Sequence, residues 1–392
     1  MKKGSLWQHK IDFWVGVPLV LFFCLFKKKR KLPQEKPKTI LIFNPASIGD
    51  SLLSSALCQA LKNTFPDTTL TYLCSPSNQK IVHFLKGVDK TKGFTSKNLL
   101  RWVLFPRLKK KEVGAFDWVI DISPWPRVSA LSCFFLCGKF KIGFKTPKQF
   151  RHYLYDQSVL HRNDQHEVDN FYDLIFPLLK KFGQPVLPRP FSQLCTMKNY
   201  PLRPAWQEQK KHQNWTADPK LLSPSEDYVL FHPWPSGVKA ELKTWPEKNW
   251  VQLATLLPKN LKIIISGSKE DFLATESLRK KIAEIRSEWV CSFAGKFTLL
   301  EWIPILQKAK VVISVNTGFM HLAAMLDKPM IALHGPTQPK RWGPLSAKAV
   351  VVQSETKGCG YLDLGFEYPK NPPPCMDGIS VEKVFSAFSA LL

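Results

Sequence analysis

Apolar positions along this chain fall into short blocks that alternate between two periods. TILIFN (39–44) is an apolar run of strand length, and GDSLLSSALCQALKNTF (49–65) repeats its apolar positions at helical spacing. The same pattern predicts strands at TLTYLCS (69–75), DWVIDIS (117–123) and KFKIGF (139–144), and a helix at HEVDNFYDLIFPLLKKFG (166–183). The second half restarts it. YVLFHP (228–233), KIIISGS (262–268), VVISVN (311–316) and PMIALHG (329–335) read as strands. Helices fall between them at NWVQLATLLP (249–258), DFLATESLRKKIAEI (271–285), TLLEWIPILQKA (298–309) and GFMHLAAML (318–326). Strands without a polar face, separated by helices, imply parallel sheets covered on both sides. The pattern therefore predicts an α/β protein of two Rossmann-like, doubly wound domains facing a central cleft, with ligands at the carboxyl ends of the strands. The predicted boundaries are an apolar and basic segment with linker at 1–38, a first domain at 39–190, a Pro-rich polar linker at 191–225, and a second domain with its tail at 226–392.

The segment IDFWVGVPLVLFFCLF (11–26) is nearly uncharged and ends abruptly at KKKRK (27–31). It is shorter than the roughly 20 apolar residues of a membrane-spanning helix. Basic residues follow it where a signal peptide would need small ones. A helix lying at a membrane surface, held by Trp7, Phe13 and Trp14 and by Lys27 to Lys31 against anionic lipid, accounts for both features. If the segment spanned instead, the basic cluster would still keep the body of the protein cytoplasmic. The plainer alternative is a helix packed on the chain's own core, against which stands a run that is apolar on every face.

A length of 392 residues and an apolar fraction of 44% suit two cores. The formal net charge of +25 draws anions, whether nucleic acid, acidic lipid or phosphorylated sugars and nucleotides. Besides 27–31 the lysines cluster at Lys109, Lys110 and Lys111, and no recurrent DNA- or RNA-reading motif accompanies them. A dedicated nucleic-acid binder is the minor reading on that ground. The nine cysteines form no C-x-x-C pair and no zinc-ligand spacing. They read as reduced thiols, with Cys58, Cys74, Cys133 and Cys137 as small buried apolar residues, while Cys359 and Cys375 stand apart in a Pro/Gly-rich tail.

Candidate chemistry sits where strands run into loops. In NPASIGDSLL (44–53), Gly49 permits a close turn and Asp50 stands at a helix start, either as an N-cap or as a carboxylate facing the cleft. The helix dipole there would hold its pKa down. FHPWPSGVKAELKTWPEKNW (231–250) gathers Ser236, Gly237, Lys239 and Lys243, and lysine suits phosphate as a point charge. VISVNTGFMHLAAMLDKPMIALHGPTQPKRWGP (312–344) ends a strand at Asn316, turns at Thr317 and Gly318, and opens a helix carrying His321. Free amides at such a helix start suit a diphosphate. His321 reads on spacing alone as an ordinary helix residue, and no second metal ligand stands at helical spacing from it.

Taken in order, ILIFNPASIGDSLLSSALCQALKNTFPD (40–67), KTWPEKNW (243–250), ISGSKED (265–271) and NTGFMHLAAMLDKPMIALHGPTQPKRWGP (316–344) resemble glycosyltransferase family 9, the ADP-heptose:lipopolysaccharide heptosyltransferases. The resemblance covers roughly residues 11–385, including CMDGISVEKV (375–384). It implies a GT-B fold with an acceptor domain first and a nucleotide-sugar domain second, and inversion at the anomeric carbon without an obligatory metal or resident cofactor. Asp50 matches the family's general base and Lys243 its phosphate-binding lysine. Thr317, Gly318 and His321 match the nucleotide-sugar turn, Glu270 sits near the acidic ribose contact, and Ser236 and Lys239 lie in the loop before Lys243. Many members carry Asp before Thr-Gly, where this chain has the uncharged Asn316. The implied partners are a nucleotide sugar, an anionic lipid-linked core saccharide and the cytoplasmic face of the inner membrane, with no nucleic acid. Two alternatives are a related GT-B transferase with another nucleotide sugar or polysaccharide acceptor, and a non-catalytic basic adaptor for membranes or polyanions.

Overall fold

The computed structural model describes residues 6–28, 30–45, 48–95, 97, 98, 101, 111–183, 190–193, 195–203, 227–286, 290–365 and 367–392. Lys29, Lys109, Lys110, the side chain of Trp7 and most of the linker expected at 191–225 lie outside the described residues. The chain divides into two compact units, Met1–Cys195 and Thr196–Leu392.

In the first unit, α1 (Leu6–Trp14) and α2 (Gly16–Cys24) form one apolar arm with a break at Val15. Pro18 accounts for the break, since its ring displaces the carbonyl four residues earlier, that of Trp14. There follow β1 (Thr39–Asn44), α3 (Ile48–Leu53), α4 (Ser55–Thr64), β2 (Thr69–Cys74), α5 (Pro76–Val82), β3 (Lys90–Gly93), β4 (Ala115–Asp121), α6 (Arg127–Phe135), β5 (Cys137–Lys145), β6 (Gln157–Leu160) and α7 (Glu167–Lys181). The strands make one parallel sheet in the order β3-β2-β1-β4-β5-β6. The helix expected over 49–65 is divided at Ser54, whose hydroxyl is 2.8 Å both from the Ser51 carbonyl and from the Tyr72 hydroxyl. A buried serine that bonds locally in this way competes with the helical ladder.

The second unit repeats the plan. Its elements are β7 (Tyr228–His232), α8 (Glu247–Leu256), β8 (Lys262–Ile265), α9 (Phe272–Arg286), β9 (Val290–Ser292), α10 (Trp302–Lys308), β10 (Val311–Val315), α11 (Gly318–Met325), β11 (Met330–His334), α12 (Pro339–Trp342), β12 (Ala349–Gln353) and α13 (Val381–Leu391). The sheet order is β12-β11-β10-β7-β8-β9, again all parallel. Renumbered from its own first strand, each sheet reads 3-2-1-4-5-6, the doubly wound order. The switch points, where strand order reverses, lie between β1 and β4 in one unit and between β7 and β10 in the other.

The core of the second unit shows why the sequence folds this way. Val229, Phe231, Ile263, Ile265, Val311, Ile313 and Val315 are buried along the central strands, and Trp245, Trp250, Leu278 and Ile282 pack down on them from the loop and helices. Each such side chain contributes about 1.5–3 kcal/mol on leaving water. Helix α13 closes this core, with Ser380 accepting from the Lys383 amide at its start, a cap worth about 1 kcal/mol.

The expectation of reduced thiols fails at one pair, for Cys359 and Cys375 are joined in a disulfide. The tail folds back on itself and brings residues 16 apart in sequence to 5.6 Å between Cα atoms, within bonding reach. Cys58, Cys74 and Cys133 are buried free thiols, and Cys137 is half-buried.

Candidate active site

In the first unit the Asp50 loop stands on a buried polar floor. Asn44, the last residue of β1, donates from Nδ2 to the Ser51 hydroxyl at 3.2 Å and to the Tyr72 hydroxyl at 3.3 Å. Asn78, from α5, reaches the same Ser51 hydroxyl at 3.3 Å. The contacts tie the two successive βα segments β1–α3 and β2–α5 together beneath the first turn of α3. Asp50 lies in that turn, half-buried at the carboxyl edge of the sheet, and its main-chain carbonyl accepts from Ser54.

Beside it, in register with Phe43, Asp121 ends β4. The Asp121 carboxylate meets the Arg151 guanidinium at 2.7 Å and the Tyr155 hydroxyl at 2.6 Å, and Arg151 also donates to the Ser129 hydroxyl at 2.9 Å. Asp121 and Arg151 are fully buried. Burial pushes the Tyr155 phenol up, which keeps it a donor. Sequence reasoning missed this cluster. Its one visible signal was an aspartate closing the strand DWVIDIS; its partners come from a turn thirty residues on.

In the second unit four loops leave the carboxyl ends of β7, β8, β10 and β11. After β7 the chain passes Ser236 and reaches Lys243 in a 3-10 turn, Ala240–Lys243. The Lys243 ammonium donates to the Ser236 carbonyl at 2.8 Å. Burial brings its pKa down to about 8, offset in small part by Glu241. Trp245, two residues on, is fully buried and donates its indole N–H to the Ile379 carbonyl at 3.0 Å, which anchors the turn. Ser236 and Lys243 are thus brought together. Lys239 is not with them: held at φ 47°, it places its ammonium 5.1 Å above the Tyr368 ring in the tail.

After β10, Asn316 donates from Nδ2 to the Thr337 hydroxyl at 3.0 Å, coupling the loops after β10 and β11. Thr337 also lies 3.2 Å from Nδ1 of the buried His334. Thr317 occupies the N-cap position of α11 without a side-chain capping bond, and its Oγ1 is buried with no hydrogen-bond partner. Gly318 opens the helix. His321 turns inward and is buried. Glu270 lies exposed after β8, its pKa lowered by its own main-chain amide and the Ser268 hydroxyl.

A second residue missed from sequence is His232, at the end of β7 and so at the switch point. It stacks on Phe319 of α11 with ring centroids 4.3 Å apart and bonds through Nδ1 to the Ser266 hydroxyl at 2.8 Å. Burial lowers its pKa to about 3, so it is neutral at physiological pH. A neutral ring, a half-buried ammonium, an unpartnered hydroxyl and a helix start on one sheet edge form a surface for an anionic, ring-bearing ligand.

The family described as Glycosyltransferase family 9 (heptosyltransferase) matches residues 102–361. Lipooligosaccharide heptosyltransferase 2 of Haemophilus ducreyi is 26% identical over 323 residues, which cover 80% of this chain and 88% of that protein. Among solved structures, the Escherichia coli ADP-heptose lps heptosyltransferase II superposes with a TM-score of 0.67 at 21% identity, covering 90% of this chain and 98% of the other. A glycosyl transferase family 9 protein of Veillonella parvula superposes with a TM-score of 0.68 at 18% identity, covering 93% and 98%. The fold is accordingly that of the GT-B heptosyltransferases, as the ordered motifs predicted.

Proposed function

The chain belongs to glycosyltransferase family 9, and we propose that it moves a heptose from ADP-heptose to the inner core of lipopolysaccharide, with inversion and without an obligatory metal. Its acceptor is an anionic lipid-linked saccharide, met at the cytoplasmic face of the inner membrane.

The observation that carries this reading is Lys243. Its ammonium is half-buried, has depressed basicity and, among the described residues, bonds to a carbonyl rather than to a carboxylate. A cation kept short of its counter-ion is a place for an anion. The unpartnered Thr317 hydroxyl and the amides opening α11 supply further donors for a diphosphate. Asp50 takes the proton from the acceptor hydroxyl as its oxygen attacks the anomeric carbon. The bond from that carbon to the diphosphate oxygen breaks, and the charge left on ADP is balanced by Lys243 and the amide donors. These groups supply the electrostatic help that other transferases draw from a metal. Glu270 serves the ribose; Ser236, Gly318 and, from their neighbouring positions, Lys239 and His321 complete the donor side.

The test is release of ADP from ADP-heptose when purified protein is given heptose-deficient core lipid, with and without EDTA. ADP release that is acceptor-dependent and indifferent to EDTA supports the proposal; none on any heptose-deficient core overturns it. One observation favours a second reading, transfer from another nucleotide sugar. Asn316 carries no charge and spends its amide on Thr337. Calorimetry against a panel of nucleotide sugars separates the two.

A further inference from the structure

The arm α1–α2 presents one face to the first unit and the other to solvent. On the inner face Val20 is fully buried, Phe23 packs against Phe134 and Phe135 of α6, and Asp12 is pinned to Arg127 at 2.8 Å. Asp12 also accepts from the Arg127 and Val128 amides at 2.9 and 3.2 Å, so it caps α6 from another segment of the chain. Helix α6 begins just beyond the end of β4, the strand that pairs with β1. The arm is therefore fastened to the edge of the sheet that carries Asp50.

On the outer face Trp14 is 73% exposed, Leu25 79% and Phe26 66%, with Phe22 between them at 53%. The Phe22 and Phe26 rings meet at 5.1 Å, and large apolar side chains left in water on one short arm mark an interaction surface. Lys28 and Lys31 follow directly and are exposed, while the neighbouring Arg30 is held by its amide to Asp156 at 3.3 Å and by its guanidinium to the Lys139 carbonyl at 2.5 Å. No helix among the described residues is long and apolar enough to cross a membrane. Asp12, tied to Arg127, leaves 14 apolar residues (13–26) before the basic cluster, short of the ~20 a span requires.

We propose that this face is a docking surface for an anionic phospholipid bilayer. The arm lies in the headgroup plane with its aromatic and leucine side chains inserted and Lys28 and Lys31 against lipid phosphates, and through Asp12 it holds the Asp50 edge of the first unit at the bilayer, where a lipid-borne acceptor arrives. The aromatic character and the adjoining cations fit a charged interface better than a second copy of the chain, whose identical basic cluster would repel. The surface deepens the functional reading given above, but its binding can be read with neither donor nor acceptor present.

The full chain is sedimented with vesicles of phosphatidylcholine alone or with added phosphatidylglycerol. Strong binding to the anionic vesicles that weakens with salt is the expected result. Trp14→Ser combined with Leu25→Ser and Phe26→Ser should weaken it at least tenfold without moving the unfolding midpoint. Lys28→Glu with Lys31→Glu should abolish the preference for anionic lipid. Unchanged vesicle binding in both variants overturns the proposal, as does a parent that binds no vesicles and dissociates from dimer to monomer on the triple substitution. With acceptor supplied, the triple variant should lose transfer to acceptor in vesicles yet keep transfer to an acyl-stripped acceptor; equal loss on both would overturn the delivery role. A parent inactive on both acceptors would count against the transferase reading and leave the vesicle result standing.

Discussion

The Lys243 ammonium lies 2.8 Å from the main-chain carbonyl of Ser236, folded back over its own loop. Burial holds the lysine's pKa near 8 instead of 10.5.

Below pH 8 folded and unfolded chains both carry the proton, and the folded state bears the full desolvation cost. Between about 8 and 10.5 only the unfolded chain keeps it, so stability rises with pH through this window. Bound diphosphate raises the lysine's pKa again. ADP binding at pH 8.5 should therefore take up protons, and affinity should fall as pH rises above 8. Calorimetry in two buffers of different ionisation enthalpy measures the uptake. Lys243→Met should abolish it and weaken ADP by roughly tenfold to a hundredfold, the worth of a hydrogen bond to a charged group.

Thr317 offers a test with opposite signs in the free and bound states. Its buried hydroxyl is unpartnered, and such a group costs about 1–3 kcal/mol. Thr317→Val should leave the free protein as stable as the parent or more so, by chemical denaturation, while weakening ADP-heptose binding. A variant that binds donor normally would remove the hydroxyl from the site.

For Asp50 the expected signature is kinetic. Asp50→Asn should lower kcat by ~10²–10⁴ and leave the dissociation constant for ADP-heptose unchanged, with the acidic limb of the pH–rate profile lost. Normal turnover in that variant would end the general-base assignment.

The Asp121–Arg151 pair should matter to stability. Asp121→Asn strands a fully buried guanidinium, so a loss of about 3–5 kcal/mol is expected, seen as a fall in the unfolding midpoint. Replacing both partners with apolar residues should cost less than replacing one.

The Cys359–Cys375 bridge closes a tail that bonds to the loops after β11 and β7. Leu362 donates to the Pro336 carbonyl at 2.8 Å, and the Tyr368 hydroxyl donates to the Val238 carbonyl at 2.8 Å. Alkylation of the denatured chain without reductant should label seven of the nine cysteines. Cys359→Ser with Cys375→Ser should lower stability by up to about 3 kcal/mol, the value for a loop of this size, and raise KM for the donor more than it lowers kcat.

The central strands β1, β7, β10 and β11 were legible because burial on both faces leaves an uninterrupted apolar run. The short edge strands β3, β6 and β9 were not. KTKG (90–93) has no apolar residue to reveal it, and VCS (290–292) is three residues long; such strands exist because a neighbour offers a row of amides and carbonyls. The same holds in the site. The candidates Asp50 and the Asn316–Gly318 turn are visible at strand ends, and Lys243 in the loop that follows one. His232 did not, since only its stacking on Phe319 and its bond to Ser266 make it more than a histidine before a proline.

By itself the sequence determined the alternation of strand and helix, the family, the apolar arm with its basic flank, and which loops leave the carboxyl ends of the strands. These are properties of local periodicity and of short segments, carried by residues a few positions apart. Only the tertiary structure decided that Arg151 neutralises Asp121, that Lys239 turns away to Tyr368 while Lys243 stays with Ser236, that Asp12 fastens the arm to α6, and that Cys359 meets Cys375. Each of these depends on distance in space and on exclusion of water, which chain order does not encode until the sheets have formed and brought distant segments together.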